Sequence, residues 1–218
     1  MPKSYRVCGV RERDSSVSVE LATPDCEICR YRLTPKMWAR YSLSVGDIIG
    51  EDVYKELAAL SERCEAMTCA VRILSVSPHS ADALCGKLRR RGFSAEAAEA
   101  AVAASLRRGL IDEASEAARY AETAARRSRR GPSRIVRDLI SRGYPGEVAR
   151  AAAESVPTEV YETALHELIA RRCRSGVPTD RRERSRLIAS VVRAGFSVGE
   201  AVQELSRFGS DGEWETFE

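Results

Sequence analysis

Apolar and polar residues alternate with a period of two in the first 34 residues of the chain. The alternation occurs in three short runs, Tyr5–Asp14, Ser16–Thr23 and Glu27–Thr34, which are separated by the turn-rich sequences RDSS and TPDC. This pattern is typical of strands with one buried face. We therefore predict a small three-stranded antiparallel meander, and its single apolar face should pack against a helix.

Strict alternation also predicts the two faces of the first strand. Val7, Gly9 and Arg11 should lie on one face, and Cys8 and Val10 on the other. The face that contains Val7 is then expected to contain Arg11 as well.

After the predicted strands, the apolar residues recur with helical spacing. Pro35 suits the first turn of a short helix, and a longer helix is predicted from about Glu51. From residue 75 onward every apolar stripe is helical, and Ser94, Asp112 and Thr158 are good N-cap residues for three of the helices. The sequence therefore predicts a mainly α-helical protein behind a small sheet.

One pattern, two aliphatic residues followed by glycine and an aromatic residue, occurs three times. The glycines are 51 and 52 residues apart. Such regularity indicates an internal repeat of about fifty residues, built of three helices that stack on their neighbours in an elongated curved array. Glycine ends a helix because it adopts a positive φ easily, and the aromatic residue then packs back on the helix. The residues of the three copies are Leu84, Leu88, Gly92 and Phe93, then Ile135, Leu139, Gly143 and Tyr144, and finally Leu187, Val191, Gly195 and Phe196.

These patterns predict six regions. They are a β-rich N-terminal region (1–50), a linking helix (51–75), two three-helix repeats (76–130 and 131–173), a partial third repeat (174–208) and an acidic tail (209–218). Asp112 is expected to cap the third helix of the first repeat.

The formal charge of +3 conceals a basic middle segment. Residues 87–150 contain 15 Lys and Arg against eight Asp and Glu, whereas the segments before and after are slightly acidic. Such a segment suits a polyanion or an acidic protein groove, or else forms a solvated helical surface. The candidate partner-binding residues form two groups, Arg89, Arg90 and Arg91 in the first and Arg126, Arg127, Arg129, Arg130 and Arg134 in the second. The first group lies at the predicted C-terminal end of a helix. Part of it is therefore structural, because cations are favoured at that end of a helix.

No pattern of catalytic or metal-binding residues stands out. Cys26 and Cys29 form the one close cysteine pair, and a zinc site would need further ligands from distant residues. His79 and His166 lie in different repeats, with no patterned partner for a triad. We therefore expect reduced cysteines, no cofactor or metal, and no enzymatic activity. The absence of an export signal or a long apolar stretch predicts a cytoplasmic, non-membrane protein.

The order and spacing of these segments resemble the RecX family, the bacterial regulators of the RecA recombinase. The resemblance covers nearly the whole chain and is strongest over Val71–Tyr144. It rests on SADALCGKLRRRGF, LRRGLIDEASEAARYAE and RRGPSRIVRDLISRGY, followed by VVRAGF. The sequence departs from the family pattern at SVSPHS, where a basic residue is usual before the serine, and at Glu113, where Asp is usual.

The resemblance implies a monomeric regulator, mainly an inhibitor, that binds the groove of the RecA–single-stranded DNA filament. It would modulate strand exchange, ATPase and coprotease activity in homologous recombination, DNA repair and the SOS response. Binding to single-stranded or duplex DNA itself would be weak and non-specific. The alternative is a stand-alone DNA-binding protein whose three-helix units act like helix-turn-helix modules.

Overall fold

A computed structural model describes residues 3–174, 176–178 and 180–210, so the predicted acidic tail falls almost wholly outside the described residues. The chain forms two compact units, residues 1–111 and 112–218. The first unit contains β1 (Ser4–Arg13), β2 (Ser16–Ala22), β3 (Ile28–Leu33), α1 (Pro35–Trp38), β4 (Ile48–Gly50), α2 (Glu51–Val76), α3 (Ala81–Arg90) and α4 (Ala95–Arg107). The second contains α5 (Glu113–Ser128), α6 (Pro132–Ser141), α7 (Gly146–Glu154), α8 (Thr158–Ala170), α9 (Arg181–Arg193) and α10 (Val198–Ser210).

The predicted fold class, mainly helical with a small antiparallel sheet at the N-terminus, is confirmed. The sheet has one strand more than predicted, because β4 pairs with β1 and gives the order β3-β2-β1-β4. Only three residues form β4, too few to show an alternating pattern. Its pairing with β1, for example Tyr5 opposite Ile49, defines it as a strand.

The predicted faces of β1 are wrong beyond Val7, because the strand contains a β-bulge at Cys8. Val7 lies opposite Leu21 and Gly9 opposite Glu20, so Cys8 is an extra residue in the ladder. A bulge of this kind reverses the alternation beyond it. Val10 therefore lies opposite the buried Val19 and packs on the same core as Val7, whereas Arg11 faces outward.

The inner face of the sheet packs on α1 and on the first half of α2. Val7, Val17, Val19, Leu21 and Leu33 are fully or almost fully buried. They share a core with Trp38 of α1 and Leu57 of α2. Helices α1 and α2 therefore cover the apolar face of the sheet. A small sheet needs this packing, because one apolar face alone is too thin a core for independent stability.

Packing groups the helices in threes. In the first unit, α2 packs on α3 and α4 around a core that includes Ala66, Ile73, Leu84 and Leu88. In the second unit, α5 packs on α6 and α7, and α8 on α9 and α10. The glycine-terminated helix is the middle helix of each group. We infer that the repeat begins one helix earlier than the predicted boundary at residue 76.

The three repeated glycines lie at helix ends with the same hydrogen bonds. Gly92, Gly143 and Gly195 have φ values of +93°, +83° and +106°. In each copy the glycine N–H donates to the carbonyl three residues earlier, and the aromatic N–H donates to the carbonyl five residues earlier. These bonds define a Schellman motif, which satisfies the last carbonyls of the helix. The aliphatic residues of all three copies are buried, and the following aromatic residue packs on the core in each copy.

Gly195 has a second role, because its backbone lies directly against Gly131. The Gly131 N–H donates to Ala194 O at 2.8 Å, and the Ser133 N–H donates to Gly195 O at 3.2 Å. A Cβ atom on Gly131 would lie 2.5 Å from the carbonyl carbon of Gly195. The loop between α5 and α6 thus approaches the α9–α10 junction at a distance that only glycine allows.

Candidate partner-binding surface

The first arginine group lies at the C-terminal end of α3. Arg89, Arg90 and Arg91 are exposed. Arg91 donates from Nη1 to the Sγ atom of Cys69 on α2, at 2.9 Å. Arg89 and Arg90 make no ion pair within the described residues. The last turn of a helix favours these cations, so the fold accounts for part of the group.

Lys87, in the same helix as this group, contacts His79. Lys87 Nζ is 2.8 Å from His79 Nε2, so the imidazole accepts the bond in its neutral form. Burial and the neighbouring Lys87 ammonium lower the pKa of His79. The folded state therefore disfavours a second positive charge at this position.

The lowered pKa of His79 predicts a pH dependence of stability. An unfolded histidine titrates at about pH 6.5, so below that pH the unfolded state binds the proton more readily than the folded state. The titration of His79 therefore leaves the free energy of unfolding unchanged above about pH 6.5 and lowers it as the pH drops below this value. We expect His79→Gln to reduce the fall in melting temperature between pH 7.5 and pH 5.5. An identical fall in the variant and the parent protein, followed by circular dichroism, would contradict the assignment.

Arg129, Arg130 and Arg134 of the second group form ion pairs within the second unit. Arg129 Nε donates to Glu167 Oε2 of α8 at 2.6 Å. Arg130 donates to Asp138 and to the Tyr120 hydroxyl, and Arg134 Nε donates to Asp138 Oδ1 at 3.0 Å. The Asp138 side chain is only 14% exposed, so its two arginine partners compensate a largely buried charge.

The remaining two arginines of the group are more available. Arg126 pairs with Glu122 one turn earlier at 3.0 Å, and both side chains are more than half exposed. Such a pair is worth little and opens readily. Arg127 is exposed and makes no ion pair with the part of the chain that the structure describes. Arg127 is therefore the member of the group whose charge the fold does not use.

The ends of α5 and α8 enclose a cleft of about 460 Å³. Four arginines line this arginine cleft together with Ser128 and Leu168; they are Arg127, Arg129, Arg171 and Arg172. Burial and the neighbouring Arg193 lower the pKa of Arg172, which also donates to the Ser190 hydroxyl. Positive charge is thus crowded here, and an anionic group in the cleft would relieve the repulsion.

Local sequence explains how the cleft forms. Helix α5 ends because Arg129 takes a left-handed conformation, with φ of +51°. Helix α8 ends at Ala170, and the next two residues are both arginine. The carboxyl ends of the two helices carry partial negative charge, which favours arginine at these positions. The sequence prediction missed Arg171 and Arg172, although the dipeptide RR at a helix end is a visible signal.

A second cleft nearby has a different character. It has a volume of about 480 Å³ and lies along α5 and α8. Arg126 lines it, but Glu159 and Glu167 do so as well. Its mixed charge gives no preference for an anion, so the arginine cleft is the better candidate for an anionic partner.

The described residues offer no cluster of three or more potential metal ligands. Cys26 is exposed and Cys29 half-buried, and both are free thiols. His166 Nδ1 lies 2.8 Å from Glu204 Oε1, a contact between α8 and α10. None of the helices formed by the described residues has the length and apolarity needed to span a bilayer.

Comparison with known proteins agrees with the resemblance seen in the sequence. Residues 66–103 match the RecX first three-helix domain, and they span the end of α2 with α3 and part of α4. A crystal structure of a regulatory protein RecX superposes with a TM-score of 0.73, at 18% identity, over 93% of this chain and 99% of that chain. RecX from Lactobacillus salivarius superposes with a TM-score of 0.59, also at 18% identity, over 68% of this chain and 97% of that one. No curated protein sequence gives a significant match. The predicted resemblance to RecX is confirmed.

Proposed function

We propose that the chain regulates a RecA recombinase, because residues 66–103 match the first three-helix domain of RecX and the fold is similar to that of RecX structures. It acts mainly as an inhibitor that binds the RecA–single-stranded DNA filament and lowers strand exchange, ATPase and coprotease activity. The match over residues 66–103 is the observation that carries this proposal.

The local positive charge of the arginine cleft supports a contact with an anionic surface. The arginine cleft presents Arg127 and Arg171, which form no ion pair among the described residues, beside Arg129 and Arg172. A guanidinium group binds carboxylates and phosphates in two parallel hydrogen bonds, so the cleft suits acidic side chains on a filament or the DNA phosphates within it. Arg89 and Arg90 of α3 offer a second basic contact from the first unit.

The proposal is tested by the ATPase activity of preformed RecA–single-stranded DNA filaments. We expect the full chain to lower the rate of ATP hydrolysis when only one chain is present for several RecA protomers. At this ratio too little protein is present to cover the DNA, so a lower rate reports an effect on the filament. The inhibition should weaken as salt rises, because exposed charges are screened.

An unchanged rate, with no retention of RecA on the immobilised chain, would refute the proposal. A gel shift of duplex DNA by the chain alone, selective for sequence, would instead favour the stand-alone DNA-binding alternative. Such a result requires base contacts in a groove, which phosphate binding alone does not provide.

A further inference from the structure

The outer face of the N-terminal sheet is strongly basic, although residues 1–86 contain 11 Lys and Arg against 12 Asp and Glu. Cross-strand pairing places opposite residues on the same face, and three rows follow from the register. Arg11, Ser18 and Arg32 form one row, Gly9, Glu20 and Arg30 the next, and Arg6, Ala22 and Ile28 the third. Arg13 lies opposite Ser16 at the end of the face.

The bulge at Cys8 creates this arrangement. Without it Arg11 and Arg13 would share a face with the buried Val7, whereas with it they join Arg6 on the outside. The three arginines of β1 are all exposed, as are Arg30 and Arg32 of β3. Five arginines therefore lie on one face of a sheet whose other face is the core.

The face has the form of a shallow trough that runs along β2. Its floor consists of the half-buried Ser16, Ser18, Glu20 and Ala22 of the middle strand, and the Glu20 carboxylate pairs with Arg30 at one side. The arginines of β1 and β3 stand on either side, about 10 Å apart, because each strand lies about 4.8 Å from its neighbour. We call this surface the sheet trough.

Little of the positive charge in the sheet trough is neutralised by the protein. Glu20 is the acidic residue among the three rows, and it pairs with Arg30 at 2.9 Å. Arg6, Arg11, Arg13 and Arg32 make no ion pair with any described residue. Glu12 lies opposite Val17 and so belongs to the other side of the sheet.

We propose that the sheet trough binds the sugar–phosphate backbone of a single strand of nucleic acid. Arginines on β1 and β3 flank a floor whose one carboxylate, Glu20, is already paired with Arg30. One extended polyanionic chain can therefore lie between the two strands and meet guanidinium groups on both sides. The tyrosines of the sheet, Tyr5 and Tyr31, lie on the inner face, where Tyr54 of α2 packs against both. None of the described residues provides an aromatic platform for bases in the trough, and binding is therefore independent of base identity.

Fluorescence anisotropy with labelled oligo-dT and the full chain tests this site without RecA. Arg11→Thr with Arg32→Thr removes the arginines on both sides of Ser18 while keeping residues that favour strands. We expect affinity at low salt to fall about tenfold, and the dependence of log affinity on log salt to flatten by about 0.7 for each arginine. Oligo-dA should bind as oligo-dT does.

Arg63→Gln with Arg72→Gln is the matched control. Both arginines are exposed on α2 in the same unit, and the control loses the same charge. Equal weakening in the two double variants would overturn the site, as would no weakening in either. Circular dichroism verifies that both variants are folded, and single variants Arg11→Thr and Arg32→Thr replace the double variant if it is not.

Competition experiments distinguish single-stranded nucleic acid from other anionic partners of the sheet trough. Displacement of oligo-dT by polyglutamate at the same charge concentration would overturn the proposal in favour of an acidic protein. Equal displacement by duplex DNA would overturn the single-strand assignment. Since the assay contains no RecA, its result is independent of the proposed regulation of the filament.

Discussion

Replacing Gly131 by alanine is expected to destabilise the second unit by about 3 kcal/mol or more, because no space exists for the added methyl group. The new Cβ atom would lie 2.5 Å from the carbonyl carbon of Gly195 and 2.7 Å from the Phe196 nitrogen. These are backbone atoms held by the Gly131–Ala194 hydrogen bond, so they cannot move aside as a flexible side chain could. Urea unfolding followed by circular dichroism measures the loss.

Two other glycines serve as controls for this prediction. Gly199→Ala adds a methyl group to an exposed position in the first turn of α10, where the nearest atom, Ser197 Oγ, is 3.9 Å away, and should stabilise the helix by up to about 0.5 kcal/mol. Gly92→Ala meets no atom within 4 Å and should cost only the strain of its positive φ, about 1–2 kcal/mol. An unfolding midpoint of Gly131→Ala equal to that of the parent protein would contradict the close backbone contact.

The contact between Gly131 and Gly195 marks the limit of what the sequence could predict about the helical region. A helix end at Gly195 follows from the repeated pattern, since local backbone geometry demands glycine there. The need for glycine at position 131 comes from a segment far away in the chain. Nothing in the RRGPSR sequence reveals that neighbour, and Gly131 itself has an ordinary φ of −77°.

The sheet shows a similar limit. Alternation predicted three strands and the buried residues of β2, because that strand is regular from Ser16 to Ala22. It failed beyond Cys8, where one extra residue reverses the faces of β1. The basic outer face was hidden for the same reason, since Arg11 was assigned to the same side as Val7.

The arginines of the second unit were visible in the sequence, but their partners were only partly so. Arg134 and Asp138 are four residues apart in one helix, a spacing that predicts their ion pair. The pairing of Arg129 with Glu167 joins two helices and requires the tertiary structure. Charge alone could therefore locate the basic region, but it could not separate Arg127, which is available, from Arg129, Arg130 and Arg134, which the fold uses.

Removing the two available charges of the arginine cleft is expected to shift RecA inhibition strongly. Arg127→Gln with Arg171→Gln keeps residues that favour helices and leaves the Arg129–Glu167 pair in place. Hydrogen bonds to charged groups contribute about 1.5–3 kcal/mol each, so loss of two such contacts should raise the inhibitory concentration at least tenfold. Stability should change little, because neither side chain has an ion-pair partner among the described residues.

The matched control for the cleft is Arg184→Gln with Arg186→Gln. Both arginines are exposed on α9 in the same unit, and neither lines the cleft. The control removes the same net charge, so it measures the general electrostatic effect. Any loss of inhibition beyond that of the control is caused by the missing charges of the cleft.

The most direct test measures ATP hydrolysis by preformed RecA–single-stranded DNA filaments as each of the three proteins is titrated in. We expect the parent chain and the α9 control to inhibit at similar sub-stoichiometric concentrations, and the cleft variant to need at least about ten times more protein. An inhibition curve for the cleft variant that coincides with the curve for the α9 control would contradict binding through the arginine cleft. Absence of inhibition by the parent chain would contradict regulation of RecA altogether.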